Sequence, residues 1–312
     1  MPEQLVPGQH MPEQRMIELA AGSARLGLLP GLGGAVAYWT SGGLDILHAV
    51  ADPNLLAQRG RAVAAYPLVP FSNRVADGCF QFDGVPYRMR PNFAGEPHVI
   101  HGNGWEHAWR LELLSDDSAT LGLSWNPHLD PRHPNPQWPF AYRAQLRFDL
   151  RQDGLSIGML IENTDQHPQP AGLGFHPYFP RRGALHLGFS AGTVWTNDDR
   201  HLPALRVPAT GEWSFEQMRP IGAQAIDHCY AEWSGAAFLR WPQDNLALTI
   251  AADDPFRHLV LYTPPGRPFI AVEPVTHMND ALNHPGVADG GLRILAPGRK
   301  LEGHIRLALT GC

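Results

Sequence analysis

Residues 142–161, YRAQLRFDLRQDGLSIGMLI, decide the fold class. Tyr142, Ala144, Leu146, Phe148 and Leu150 alternate with Arg143, Gln145, Arg147 and Asp149. An extended chain built this way has one apolar and one polar face, as a half-buried strand requires. Arg151-Gln152-Asp153-Gly154 then interrupts the pattern, and Leu155, Ile157, Met159 and Ile161 resume it. Two period-two runs around an Asp-Gly predict an antiparallel hairpin. Working outward, Phe80-Gln81-Phe82 and Val85-Pro86-Tyr87-Arg88-Met89 flank Asp83-Gly84 and predict a second hairpin. Further strands are expected at 109–114, 120–125, 237–241, 245–251, 258–263, 268–273 and 303–309. The Pro-rich stretches 127–139 and 263–268 read as long loops, and residues 54–65 as one short helix. The expectation is an all-β chain folded as a large antiparallel β-sandwich. Residues 1–16 are expected to be a flexible lead-in and 17–312 a single domain.

Composition agrees. The chain has 312 residues, 44 % hydrophobic and only 17 % charged, so a sizeable core can be buried. The 32 Gly and 30 Pro supply turn punctuation that suits many short strands better than long helices. A net charge of −6, with no Lys/Arg run longer than two, disfavours a nucleic-acid or anionic-membrane surface. Cys79, Cys229 and Cys312 form no CxxC pair, so neither a disulfide framework nor a zinc knuckle is expected, and a reducing cytoplasm is the natural compartment. MPEQ at 1–4 recurs at 11–14, without the charged and apolar regions of a signal peptide. No run of 18 apolar residues predicts a membrane span.

Sixteen histidines have to be sorted. His98 and His101 are three apart, so in extended chain they point to opposite faces and make a poor metal pair. His98 and His107 read as loop histidines with local hydrogen bonds. His176 lies in Gly172-Leu173-Gly174-Phe175-His176-Pro177-Tyr178-Phe179, where Pro177 pushes it to extended geometry. That suits a fixed general acid, or a partly buried histidine at a Pro-bounded strand end. Glu273 ends the apolar run Phe269-Ile270-Ala271-Val272 and is followed by Pro274, which reads as a strand stop. A carboxylate buried there needs a functional role or an ionic partner. Arg74, in Ser72-Asn73-Arg74, is a candidate partner, a substrate donor or a surface-paired loop arginine. Asp227, in Asp227-His228-Cys229, caps a turn or binds a hydroxyl. No GxSxG, P-loop or helix-opening GxGxxG occurs, which leaves hydrolase and nucleotide chemistry without support.

Taken together and in order, these segments resemble the aldose 1-epimerase family. Asn73-Arg74 with Gly78-Cys79-Phe80 is similar to its N-R-I/V…G-x-F segment, and His98-Val99-Ile100-His101-Gly102 to its x-L-H-G segment. His176-Pro177-Tyr178-Phe179 resembles the H-P/S-Y-F segment, and Ile226-Asp227-His228 the segment whose Asp binds sugar hydroxyls. Glu273-Pro274 with Asn279-Asp280-Ala281-Leu282-Asn283 resembles E-P-x-T…D-A-x-N, and Leu295-Ala296-Pro297-Gly298 the late L-x-P-G. The resemblance spans about residues 17–310. One departure is Val260, near the place of a family Gln that touches the sugar.

The resemblance implies a galactose mutarotase-like sandwich and a cofactor-free isomerase that interconverts the α and β anomers of a free aldose. It implies His176 as acid at the ring oxygen and Glu273 as base at the C1 hydroxyl. Asn73, Arg74, His101 and Asp227 would hold hydroxyls. No metal is required. The two catalytic groups are expected to face each other across a gap that fits a pyranose ring. The alternatives are a hexose-6-phosphate mutarotase, with Arg181-Arg182 supplying a basic pocket, and a non-catalytic carbohydrate-binding domain. The expected partner is a small sugar, with no nucleic acid or membrane, in a monomer or homodimer.

Overall fold

The computed structural model describes residues 16–51, 62–129 and 135–311. The hairpin forms where the alternation put it: Tyr142–Arg151 pairs with Gly154–Asn163, from Tyr142 opposite Asn163 to Arg151 opposite Gly154. Around it grows a nine-stranded sheet. Its order is Arg110–Leu114, Ser118–Trp125, Tyr142–Arg151, Gly154–Asn163, Lys300–Gly311, Leu246–Ala252, Ala236–Trp241, His186–Phe189 and Arg219–Pro220. The second sheet has eleven strands, the central ones being Ala65–Leu68, Gly174–Pro180, Phe269–Val275, His258–Thr263 and Ile226–Ala231. The ladders that join these strands are antiparallel. Among the described residues there is no α-helix, only short 3₁₀ turns.

The period of two assigns each strand's residues to a face. Leu146, Phe148, Ile157, Ile250 and Leu307 from the smaller sheet join Trp39, Phe175, Phe179, Ile270, Val272 and Leu261 from the larger in one buried cluster between the layers. Each such side chain contributes about 1.5–3 kcal/mol on burial. The intervening residues of the larger sheet point away from that core. Tyr66, Tyr178, Val260, Ala271 and Val275 form a second cluster on the sheet's far side, and this side carries the functional residues.

Three readings are corrected or bounded. Of the expected helix at 54–65, residues 52–61 lie outside the described residues, and the remainder is extended: Val63 bridges Val50 and Ala65 starts a strand. Pro274 does not stop its strand, which runs through it to Val275, and Gly174–Pro180 likewise runs through Pro177. Both prolines fall where the recorded ladder between these two strands is broken, between Gly174 opposite Val275 and Tyr178 opposite Ala271. A proline has no N–H to give to a ladder, so it is accommodated where no bond is made. The MPEQ repeat and Cys312 lie outside the described residues.

Candidate functional site

Register brings the two central candidates together. Gly174 pairs with Val275 and Tyr178 with Ala271. The residue two on from Gly174 therefore faces the residue two back from Val275, which sets His176 opposite Glu273. His176 Nε2 lies 3.2 Å from Glu273 Oε1. On either side the rung continues through Tyr66, opposite His176, and Val260, opposite Glu273. The expected pyranose-sized gap between acid and base is thus absent: as cross-strand neighbours on one face, they stand side by side. They form part of the lining of a cavity of about 310 Å³, together with Asn73, Arg74, His101 and Asp227. All six sequence candidates meet there.

His176 is held by rings. Tyr66 stacks on it with centroids 4.8 Å apart, Tyr178 lies at 4.5 Å, and His101 presents an edge at 5.4 Å. Glu273 is 2 % exposed. Burial pushes its carboxyl well above the ordinary range, the charge of Asp227 adds to the rise, and Arg74 opposes it. Oε2 of Glu273 has no hydrogen-bond partner among the described residues. A buried carboxylate with one oxygen against an imidazole and the other unsatisfied is poised to exchange a proton with a third group.

Two residues of the polar rim, Asn73 and His101, come from loops. Asn73 and His101 both adopt left-handed backbone, at φ 56° and 65°. They are tied reciprocally: the His101 N–H donates to Asn73 O at 2.8 Å, and the Asn73 N–H donates to His101 Nδ1 at 3.1 Å. A neutral His101 ring therefore carries its proton on Nε2, as a hydroxyl-binding donor would. Gly102 lets this loop cross the chain before it, since a Cβ there would lie 2.2 Å from Val69 O. Behind the loop, His277 Nε2 accepts the Ser72 N–H at 3.1 Å and Asp280 Oδ1 accepts the Ala76 N–H at 2.9 Å. The segment after Glu273 thereby braces the segment that carries Arg74.

Arg74 is not the partner of Glu273. Its Nε donates to Glu96 Oε2 at 3.2 Å and its Nη1 to Asp227 Oδ2 at 3.4 Å. Burial acts to raise the Asp227 pKa, but the His201 hydrogen bond and the charges of Arg74 and His228 outweigh it and hold the carboxyl below its usual value. Arg181 and Arg182 do not line the cavity. Arg181 donates to the carbonyls of Gly222 and Pro264, and Arg182 pairs with Asp244 at 2.7 Å. His98 is buried, accepting the Asp77 N–H on Nδ1 and donating to Arg200 O from Nε2, while His107 bonds Gln137. Among the described residues, no three His, Cys, Asp or Glu side chains converge as a metal site.

Sequence reasoning missed several lining residues: Tyr66, Glu96, Tyr178, His201 and Tyr262. Tyr178 was within reach, since it lies two residues beyond His176 and so on the same face. Glu96 and His201 sit in loops whose position follows from no local pattern.

A family model for aldose 1-epimerase matches residues 15–308. The chain is 28 % identical over 254 residues to an uncharacterized Escherichia coli K12 protein, YphB, covering 78 % of this chain and 83 % of that one. An Escherichia coli K12 crystal structure, provisionally assigned as an aldose 1-epimerase, superposes with a TM-score of 0.84 at 25 % identity, over 96 % of this chain and 99 % of that one. A galactose mutarotase-like protein from Clostridium acetobutylicum shares the fold, with a TM-score of 0.81 at 18 % identity over 97 % and 98 % of the two chains.

Proposed function

The chain belongs to the aldose 1-epimerase family, and we propose that it is a mutarotase acting on a free, unphosphorylated aldose. The observation that carries this reading is the buried His176–Glu273 contact of 3.2 Å at the cavity wall. Mutarotation moves one proton off the anomeric hydroxyl and another onto the ring oxygen. Both oxygens are bonded to the same carbon, C1, so an acid and a base standing side by side match them better than a pair held a ring's width apart.

In this mechanism the buried pair shares one proton; with that proton on His176, the Glu273 carboxylate takes the proton of the C1 hydroxyl while His176 gives its own to the ring oxygen. The ring C1–O bond breaks and C1 becomes an aldehyde carbon. After rotation about C1–C2 the ring hydroxyl attacks the other carbonyl face. It returns a proton to His176, and Glu273 returns its proton to the new C1 oxygen. The pair starts and ends with its protons in the same places, so the cycle runs equally in both directions. Each positioned group is worth ~10²–10⁴ in rate. Asn73, Arg74, His101 and Asp227 are proposed to hold the sugar hydroxyls. No step calls for a metal or other cofactor.

Charge favours a neutral sugar over a 6-phosphate. The one permanent cation of the lining, the Arg74 guanidinium, is already paired with the carboxylates of Glu96 and Asp227, whereas a phosphate dianion needs a surplus of cations. Residues 17–312 are proposed as one domain, because the two sheets share one buried cluster. The exposed free thiol of Cys79 suits the cytoplasm. The test is saturation-transfer NMR of anomer exchange over free and 6-phosphorylated aldoses. Acceleration for a free aldose and none for its 6-phosphate is expected. Acceleration confined to phosphorylated sugars overturns the substrate assignment, and none for any sugar overturns the activity.

A further inference from the structure

The cavity's polar rim is a continuous ladder of charges. Glu96 touches Arg74, Arg74 touches Asp227, and Asp227 Oδ2 lies 3.4 Å from Nδ1 of His201. His201 enters from a turn between the strands Thr193–Asn197 and Pro203–Pro208. Several contacts fix that turn over the cavity. The Asp198 carboxylate accepts the N–H groups of Arg200 and Leu202, and the His201 N–H donates to Asp198 O. Arg200 O accepts from His98, and the Arg200 guanidinium pairs with Asp77 at 2.6 Å. His201 itself adopts φ 63°, a left-handed conformation that costs a non-glycine residue energy and is concentrated at functional sites. Its side chain is 58 % exposed and lines the cavity beside Arg74 and Asp227.

We propose that His201 is a substrate-contacting, specificity-determining residue that closes the open end of the hydroxyl site, holding Asp227 through Nδ1 and a sugar oxygen through Nε2. The proposal rests on the reading of the cavity as a sugar site. It differs from the motif-derived set in coming from a turn that no recognised segment includes. Chemically, a protonated imidazole donates from both nitrogens, so it can serve Asp227 and the sugar together, whereas the neutral ring has one N–H. The hydrogen bond to Asp227 is the largest influence on His201, raising its pKa; partial burial and Arg74 oppose this, and the charges of Asp227 and Glu96 support it. Affinity for the sugar should therefore fall as pH rises through that raised value. The change should appear in Kd and KM and not in kcat.

The experiment compares the full chain with His201→Asn and His201→Gln. Asparagine tolerates the left-handed backbone and places an amide where Nδ1 was, so it keeps Asp227 oriented and loses the outer nitrogen. Glutamine carries its amide at the distance of Nε2. Binding of the free aldose that the wild type binds best is measured by calorimetry from pH 5.5 to 8.5, and anomer exchange by NMR. For His201→Asn the expectation is a Kd and KM about tenfold higher, near the worth of one charge-assisted hydrogen bond, with the pH step in Kd gone. His201→Gln should recover part of the affinity. A Kd unchanged in both variants overturns the proposal, as does full affinity in His201→Asn, which would reduce His201 to orienting Asp227. If the wild type binds sugar without exchanging its anomers, the loss of affinity still upholds His201 while the mutarotase reading falls. If it binds no aldose, both fall.

Discussion

His277 should make the protein acid-labile in a measurable and removable way. Its ring is buried, with Nδ1 donating to Met278 O at 2.7 Å and Nε2 accepting the Ser72 N–H at 3.1 Å. A Cβ at Gly172 would lie 2.1 Å from the ring, so the imidazole has no room to turn away. Protonation would set a second N–H against the Ser72 N–H. Burial accordingly lowers the pKa of His277 from 6.5 to about 4, and burial does the same to His258 beside it, where the charge of His277 adds to the lowering. Because the folded values lie below the unfolded ones, the unfolded chain binds more protons, and stability present above pH 6.5 is lost as pH falls toward 4. A drop from 6.5 to about 4 is worth ~3 kcal/mol per histidine at ~1.4 kcal/mol per unit. Two such groups could remove half of a stability that is typically ~5–15 kcal/mol. His277→Gln keeps an acceptor for Ser72 and cannot ionise. Urea midpoints from pH 7 to 4.5 should show the loss in the variant to be shallower than in wild type by ~1.4 kcal/mol per pH unit. The opposite contributions of Glu273 and Asp280 are common to both chains and cancel in the difference. Parallel stability curves for the two proteins would refute the reasoning.

Glu273→Gln tests the opposite sign. The folded carboxyl titrates well above its ordinary value of 4.5, so above that pH the unfolded chain sheds a proton that the folded chain keeps, and stability falls as pH rises. The variant should gain on wild type by up to ~1.4 kcal/mol per pH unit from about pH 4.5 upward, read from the same urea titrations; a constant offset contradicts it. The acid/base pair should give anomer exchange a bell-shaped pH profile whose two limbs belong to the pair jointly; a flat profile from pH 4 to 9 contradicts it. Anomer exchange should survive EDTA, and loss that zinc or another divalent ion restores would overturn the metal-free mechanism.

The fold was legible where one face of a strand is solvated. The 142–161 hairpin follows from alternation because a one-residue slip would turn its whole apolar set outward. The strands Gly174–Pro180 and Phe269–Val275 are buried on both faces, so they carry no alternation, and their prolines pointed to strand ends that the structure runs through. The six candidate site residues were legible from motif resemblance. Their geometry was not, because His176 and Glu273 meet through the register of two strands 97 positions apart, and no local spacing encodes that register. The partner of Arg74 stayed open in the sequence for the same reason: Glu96 and Asp227 reach it from separate segments. His201 was invisible because it depends on a turn held by Asp198, His98 and Asp77, whose convergence exists only in the folded chain.

The central claim is that His176 and Glu273 move the two protons of ring opening. Saturation-transfer NMR of α/β exchange in the best free aldose, for wild type, Glu273→Gln and His176→Asn, tests it most directly. With folding of each variant confirmed by circular dichroism, either substitution should lower kcat by ~10² or more while sugar binding weakens far less. The double variant should be little worse than the slower single one. Near-wild-type exchange in either folded variant would remove that residue from the mechanism, and near-wild-type exchange in both would contradict the account.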